Sequence, residues 1–223
     1  MSEEGAANRM TIAMPRLSRL PIDQRGITLA DFLVPIRLGE RLGVRVRNIA
    51  LIIVGALFIY LTARIAIPVP GSPIPVTGQT FGVLLASGAL GFRRGVSSVA
   101  LYVLIGLIGL PFFAEGKGGL SVILGASGGY LIGFVIAGGI VGRLADLGWD
   151  RRILGALVAM LIGNIVIYVV GVPWLMVVLH ADLPTGIAKG LTPFVVGDAV
   201  KLLLAALAFP VAWWVVGRRP GER

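Results

Sequence analysis

The segment from Asn48 to Ile67 is apolar apart from Arg64 near its end, and its length matches the roughly 20 residues that a helix needs to cross the hydrocarbon of a bilayer. Further apolar runs follow at Gln79 to Leu90, which is shorter than a standard span, and at Val96 to Leu110, Gly129 to Val141, Ile153 to Val170 and Phe194 to Val216. Hydrocarbon offers no hydrogen-bond partners, so such runs must close their backbone bonds internally. The expected fold class is therefore an all-α integral membrane protein with six transmembrane helices. A composition with 57% hydrophobic residues, well above that of a soluble domain, agrees. The 32 glycines and 13 prolines are spread through the apolar runs and point to close-packed, locally broken helices. Small residues four apart, as in Gly82/Ala86, Gly138/Gly142, Ala159/Gly163 and Ala208/Ala212, are read as packing contacts.

Charge sets the orientation. The net charge is +9, but eight arginines precede Asn48, and Arg93, Arg94, Arg143, Arg151, Arg152, Arg218, Arg219 and Arg223 fall in even-numbered loops or the tail. The remaining basic residues are Arg64, Lys117, Lys189 and Lys201. The positive-inside rule then places both termini in the cytoplasm and loops one, three and five outside. Residues 1–45 read as a basic cytoplasmic extension. It is either disordered or, through Leu29, Phe32, Leu33 and Ile36, a short helix on the inner membrane surface. Residues 46–217 form the membrane domain and 218–223 a cytoplasmic tail. No basic stripe interleaved with aromatics suggests nucleic acid.

Two connectors are unusual. Ile67 to Phe81 (IPVPGSPIPVTGQTF) contains Pro68, Pro70, Pro73 and Pro75 and no charge. Each proline lacks a backbone N–H and pushes its predecessor toward extended geometry, so an extended strap is expected to deliver Thr77, Gln79 and Thr80 to the next helix. The second connector follows Pro111, is rich in glycine and carries Glu115 and Lys117. Trp174 to Leu179 is too short to cross and is expected to lie at the interface. His180 and Asp182 are read as solvated loop residues.

Ionisable residues inside a span are costly and point to function. Asp198 and Lys201 stand three apart on the last helix, in its outer half. Gln79, Tyr102, Lys117, Asn164 and Tyr168 fall at similar depth, so one outward pocket could collect them. It would offer amide and carboxylate partners for a polar ring, an ammonium for an acid, and aromatic walls for an apolar chain. The chemistry is that of binding. There is no cysteine, and a lone histidine, His180, argues against a metal centre. No phosphate loop, hydrolase elbow or zinc-protease pair is present, so the chain does not hydrolyse ATP itself.

The run PVPGSPIPVTGQTFGVLLASGALGFRRG, the continuation LYVLIGLIGLPFFAEGKGGL with GASGGYLIGF, and the late GDAVK resemble BioY, the biotin-specific substrate-binding (S) component of energy-coupling-factor (ECF) vitamin transporters. The resemblance covers about Val46 to Val216. It implies a compact six-helix S component of the bacterial cell membrane, without enzymatic activity or a permanently bound cofactor. It would take up biotin through a pocket closed by loops one and three, with a transmembrane coupling protein and two ATPase subunits that use the ATP. It carries the ligand contacts onto Gln79, Tyr102, Lys117, Tyr168, Asp198 and Lys201. Asp198 and Gln79 suit the ureido ring, and Lys117 or Lys201 the valerate carboxylate. In the family's pattern, small residues four apart on helix one dock the partner; here Gly55 is paired with Ile59 and Ala56 with Tyr60. Alternatives are an S component for another small acidic vitamin, a membrane enzyme, or a subunit of a larger complex.

Overall fold

The computed structural model describes residues 28–33 and 43–216. Helices are α1 (Leu29–Leu33), α2 (Val44–Ala63), α3 (Gln79–Leu107), α4 (Leu120–Leu124), α5 (Gly128–Asp146), α6 (Ile153–Leu179), α7 (Leu183–Gly190) and α8 (Val195–Val216). Two short strands, β1 (Ala66–Ile67) and β2 (Val76–Thr77), lie between α2 and α3. Five segments are long and apolar enough to cross a membrane: α2, α3, α5, α6 and Leu183–Trp214.

Helix α3 is not one straight rod. At Gly91 the backbone takes φ 77°, ψ −178°, a combination that is essentially reserved for glycine. A Cβ placed on Gly95 would lie 2.9 Å from the Cα of Ser87, whereas eight residues of straight helix separate such atoms by about 12 Å. The chain therefore reverses at Gly91 into a hairpin with arms 79–90 and 92–107. The carboxylate of Asp146, at the end of α5, accepts the Phe92 N–H at 3.3 Å and holds the reversal. The sequence places a boundary here too, but the helix resumes at Phe92, because a single glycine makes the turn.

Helix α5 is the most enclosed span, lying against both α3 and α6. Its Gly138 faces Ser87 and Val99, and its Gly142 faces the backbone of Gly91 and Phe92. The expected packing role of this glycine pair follows from the backbone approach.

Three expectations are corrected. Trp174 to Leu179 does not lie apart at the interface but continues α6 through Pro173. Packing offsets the hydrogen bond that the proline removes: Gly171 seats the Tyr130 ring, and Trp174 Nε1 donates to the Gly125 carbonyl at 2.9 Å. The helix ends with His180 in the left-handed region (φ 50°) and with Ala181 N–H returning to the Met176 carbonyl at 3.0 Å. The proline connector is a hairpin and not a simple strap. Ala66 pairs with Thr77 and Ile67 with Val76, the prolines fall outside the paired positions, and Ser72 Oγ donates to the Lys189 carbonyl of α7 at 2.7 Å. Finally, residues 28–33 of the extension are built into the fold. Leu29 and Ala30 are buried, α1 packs on α3 and α8, and Asp31 pairs with Arg94 at 2.7 Å and Arg47 at 3.2 Å. Burial alone raises the Asp31 carboxyl, but its bonds to Arg94 and Thr28 outweigh this and hold it below the usual range. The remaining extension calls, including Phe32, Leu33 and Ile36 as membrane-facing side chains, lie outside the described side chains.

Candidate functional site

A cavity of about 750 Å³, counting the space at its mouth that is open to solvent, lies between the proline hairpin, the loop after α3, and helices α5, α6 and α8. Its apolar lining includes Pro73, Ile74, Phe113, Phe134 and Phe194. Its polar lining includes Thr77, Gln79, Lys117, Tyr130, Tyr168 and Lys201. A largely apolar pocket with a few fixed polar groups is the ordinary form of a small-molecule site.

Gln79 reaches the cavity because it is the first residue of α3, immediately after the β-hairpin. Its side chain is committed at both ends: Oε1 accepts from Thr77 Oγ1 at 3.2 Å, and Nε2 donates to the Tyr102 hydroxyl. Tyr102 lies on the other arm of α3 and is fully buried. It braces Gln79 from behind and is not part of the cavity wall. Phe113 packs edge-on against the Tyr102 ring, with centroids 5.8 Å apart.

Asp198 is likewise a buried hub. Oδ1 accepts from Lys201 Nζ at 2.9 Å, and Oδ2 accepts from Asn164 Nδ2 at 3.1 Å and from the Tyr168 hydroxyl. It borders a smaller void of about 190 Å³ behind the main cavity, together with Asn164, Thr80 and Lys201. Of the six expected contacts, Gln79, Lys117, Tyr168 and Lys201 line the cavity, while Tyr102 and Asp198 stand one layer behind. Lys117 is mostly exposed and is paired with Glu115, whose backbone is left-handed at φ 58°.

The lining residues that escaped the sequence reading as site candidates include Tyr130 and Glu115. Tyr130 donates to the Gly190 carbonyl at 2.7 Å and packs edge-on against Tyr168 at 6.3 Å. Glu115 sits two residues from Lys117 and lines the mouth. The only signal for Tyr130 was its place in the glycine-rich GASGGY run, and for Glu115 its proximity to Lys117. Both ammonium groups are charge-balanced by a carboxylate, yet each keeps donors to spare. Among the described residues, no cluster of His, Cys, Asp or Glu could hold a metal ion.

A sequence profile of the BioY family matches residues 29–218. The chain belongs to the BioY family. As a BioY protein it is a multi-pass membrane protein of the cell membrane and not an enzyme. It is 40% identical over 158 residues to the "Biotin transporter BioY" of Thermotoga maritima, covering 71% of this chain and 86% of that one. It is 35% identical over 174 residues to that of Rhodobacter capsulatus, covering 72% and 90%. Among solved structures it is similar to the S-component for biotin from an ECF-type ABC transporter, with a TM-score of 0.70, 29% identity, and 76% and 92% of the two chains covered. The BioY match starts at the docked helix α1.

Proposed function

We propose that this BioY protein is the biotin-binding S component of an ECF transporter. It holds biotin in the cavity beneath the proline hairpin and releases it to the cytoplasm with a transmembrane coupling protein and two ATPase subunits. The observation that carries the reading is the cavity lined by Lys201, which Asp198 locks in place. The names borne by the similar chains support it. ATP is used by the partners, since this chain has no phosphate loop.

In this reading both arms of α3 cross the membrane, which makes six crossings with both termini cytoplasmic. Residues 1–45 and 218–223 flank the membrane domain of 46–217. The 79–90 arm is only about 18 Å long, so the β-hairpin and the cavity mouth complete that crossing. The valerate carboxylate stays at the wet mouth on Lys117, because burying an ionised group deeper is expensive. The ureido ring sits at the floor, its carbonyl toward Lys201 and one N–H toward Gln79, with Tyr168 and Phe134 along its sides. Tyr102 and Asp198 position these groups without touching the vitamin.

Equilibrium binding of labelled biotin to the purified protein tests this, with biotin amide and other small acidic vitamins as competitors. The expected result is one-to-one binding in which biotin outcompetes the other vitamins, and a preference for biotin over its amide that disappears in Lys117→Ala. Tighter binding of another acidic vitamin would transfer the site to that ligand, and conversion of any ligand to product would make the protein an enzyme.

A further inference from the structure

At the reversal of the α3 hairpin, away from Gln79, a second and more polar cleft of about 840 Å³, counting space open to solvent, lies where the start of α2, Gly91 and the end of α5 meet. Four guanidiniums border it, Arg47, Arg93, Arg94 and Arg143, against two carboxylates, Asp31 and Asp146. Among the described residues the cleft therefore carries two uncompensated positive charges.

The four arginines are not equivalent. Arg94 is spent inside the protein: both terminal nitrogens donate to Asp31, at 2.9 and 2.7 Å, one also reaches Thr28 Oγ1 at 3.0 Å, and Nε donates to the Leu90 carbonyl at 3.2 Å. Arg47 gives one terminal nitrogen to Asp31 at 3.2 Å, while its Nε is buried without an acceptor among the described residues. A buried donor left this way lacks the partner that such groups almost always have. Arg93 and Arg143 stand exposed at the rim and form no ion pair among the described residues. Asp31 and Arg94 thus form a paired base, and three further guanidinium groups that keep donors unpaired among the described residues border the same cleft.

Phosphate oxygens are the natural acceptors for such a set, since guanidinium pairs with them in a bidentate, charge-assisted way. The surroundings favour a phosphate attached to a lipid. Phe92 at the cleft edge and Ile49 and Ile53 on the neighbouring α2 are all exposed, giving apolar surface for acyl chains beside the polar cleft. Basic pockets between helix ends on the arginine-rich side of a membrane protein suit anionic headgroups. We propose that this cleft is a binding site for the phosphate group of an anionic phospholipid, gripped by Arg47, Arg93 and Arg143. The proposal stands independently of what the large cavity binds.

The test is native mass spectrometry of the purified full chain with phosphatidylglycerol or phosphatidylcholine, with and without inorganic phosphate. Variants are Arg93→Gln/Arg143→Gln and, as a control outside the cleft, Arg152→Gln. Phosphatidylglycerol is expected to remain bound where phosphatidylcholine dissociates, with retention about tenfold weaker in the double variant and unchanged in Arg152→Gln. Displacement by inorganic phosphate would show that the phosphate group alone suffices; resistance to it would show that the acyl chains contribute. If inorganic phosphate binds and neither lipid is retained, the lipid assignment is overturned in favour of a free anion. Equal retention of both lipids, or phosphatidylglycerol retention unaffected in the double variant, overturns the site.

Discussion

Gln79 and Tyr102 face each other across the α3 hairpin, and the amide of one donates to the buried hydroxyl of the other. Their contact joins the reversal at Gly91 to the geometry of the cavity: the turn brings the arms together, and the hydrogen bond fixes the side chain that the cavity presents. Tyr102→Phe keeps the ring against Phe113 but leaves the Gln79 amide without this acceptor. Biotin affinity is expected to fall by roughly 1 kcal/mol, about fivefold in Kd, with a comparable loss of stability. Calorimetric titration beside a thermal melt measures both, and an unchanged Kd would detach Tyr102 from the site.

The Asp198 hub predicts an asymmetry between stability and binding. Lys201→Ala leaves a buried carboxylate with only neutral donors, and biotin binding should weaken by about 2–4 kcal/mol, roughly 30-fold or more in Kd. Asp198→Asn strands the ammonium instead and should lower stability by a similar amount. The double change Asp198→Asn/Lys201→Met should recover much of the stability and none of the binding, since it removes both charges together. A double variant that binds biotin like the wild type would rule out Lys201 as the floor contact.

Gly91→Ala forces a side chain into a backbone region that L residues avoid and drives its Cβ into the Asp146 carboxylate. A loss of about 2 kcal/mol or more is expected. Gly109→Ala is the comparison: its φ is also positive, at 104°, but a Cβ there meets nothing within 4 Å. Thermal melts in one detergent should rank Gly91→Ala clearly below Gly109→Ala.

Between α5 and α6, outside the spans, Asp150 is buried and its Oδ2 accepts from Trp213 Nε1 at 2.6 Å, while Oδ1 has no partner among the described residues. Burial pushes its carboxyl up to about 6, against the lowering influence of Trp213 and Arg151. The folded state thus holds this proton at pH values where the unfolded chain has released it. Stability from this group is greatest below about pH 4, declines as pH rises to about 6 and is level above, a change of order 3 kcal/mol at most. Asp150→Asn should flatten that decline and raise stability at pH 7. Denaturation midpoints from pH 4 to 8 check it, and a variant with the same pH slope as wild type would show that another group is responsible.

Deleting residues 1–41 removes Leu29, Ala30 and Asp31 from their seats, and with them the carboxylate that Arg94 and Arg47 share. Stability should fall by about 2–3 kcal/mol, while biotin affinity, set at the other end of the molecule, should hold within twofold. Tight binding by a less stable truncated protein is the expected outcome, and lost binding in a folded one would tie α1 to the cavity.

The sequence alone determined the membrane class, the positions of most spans, and the polar residues available for a site, because length, hydropathy and charge are local properties that the bilayer reads directly. Motif resemblance supplied the family. Only the tertiary structure decided which polar residues face the cavity. Tyr102 and Asp198 lie behind it and Tyr130 borders it, because side-chain direction depends on partners 23 or more residues away, as with Gln79 and Tyr102 or Tyr168 and Asp198. It also decided that α6 continues past Pro173 and that 28–33 belongs to the fold. In both cases packing against distant helices outweighs the local signal, a breaker in one and a polar, basic context in the other.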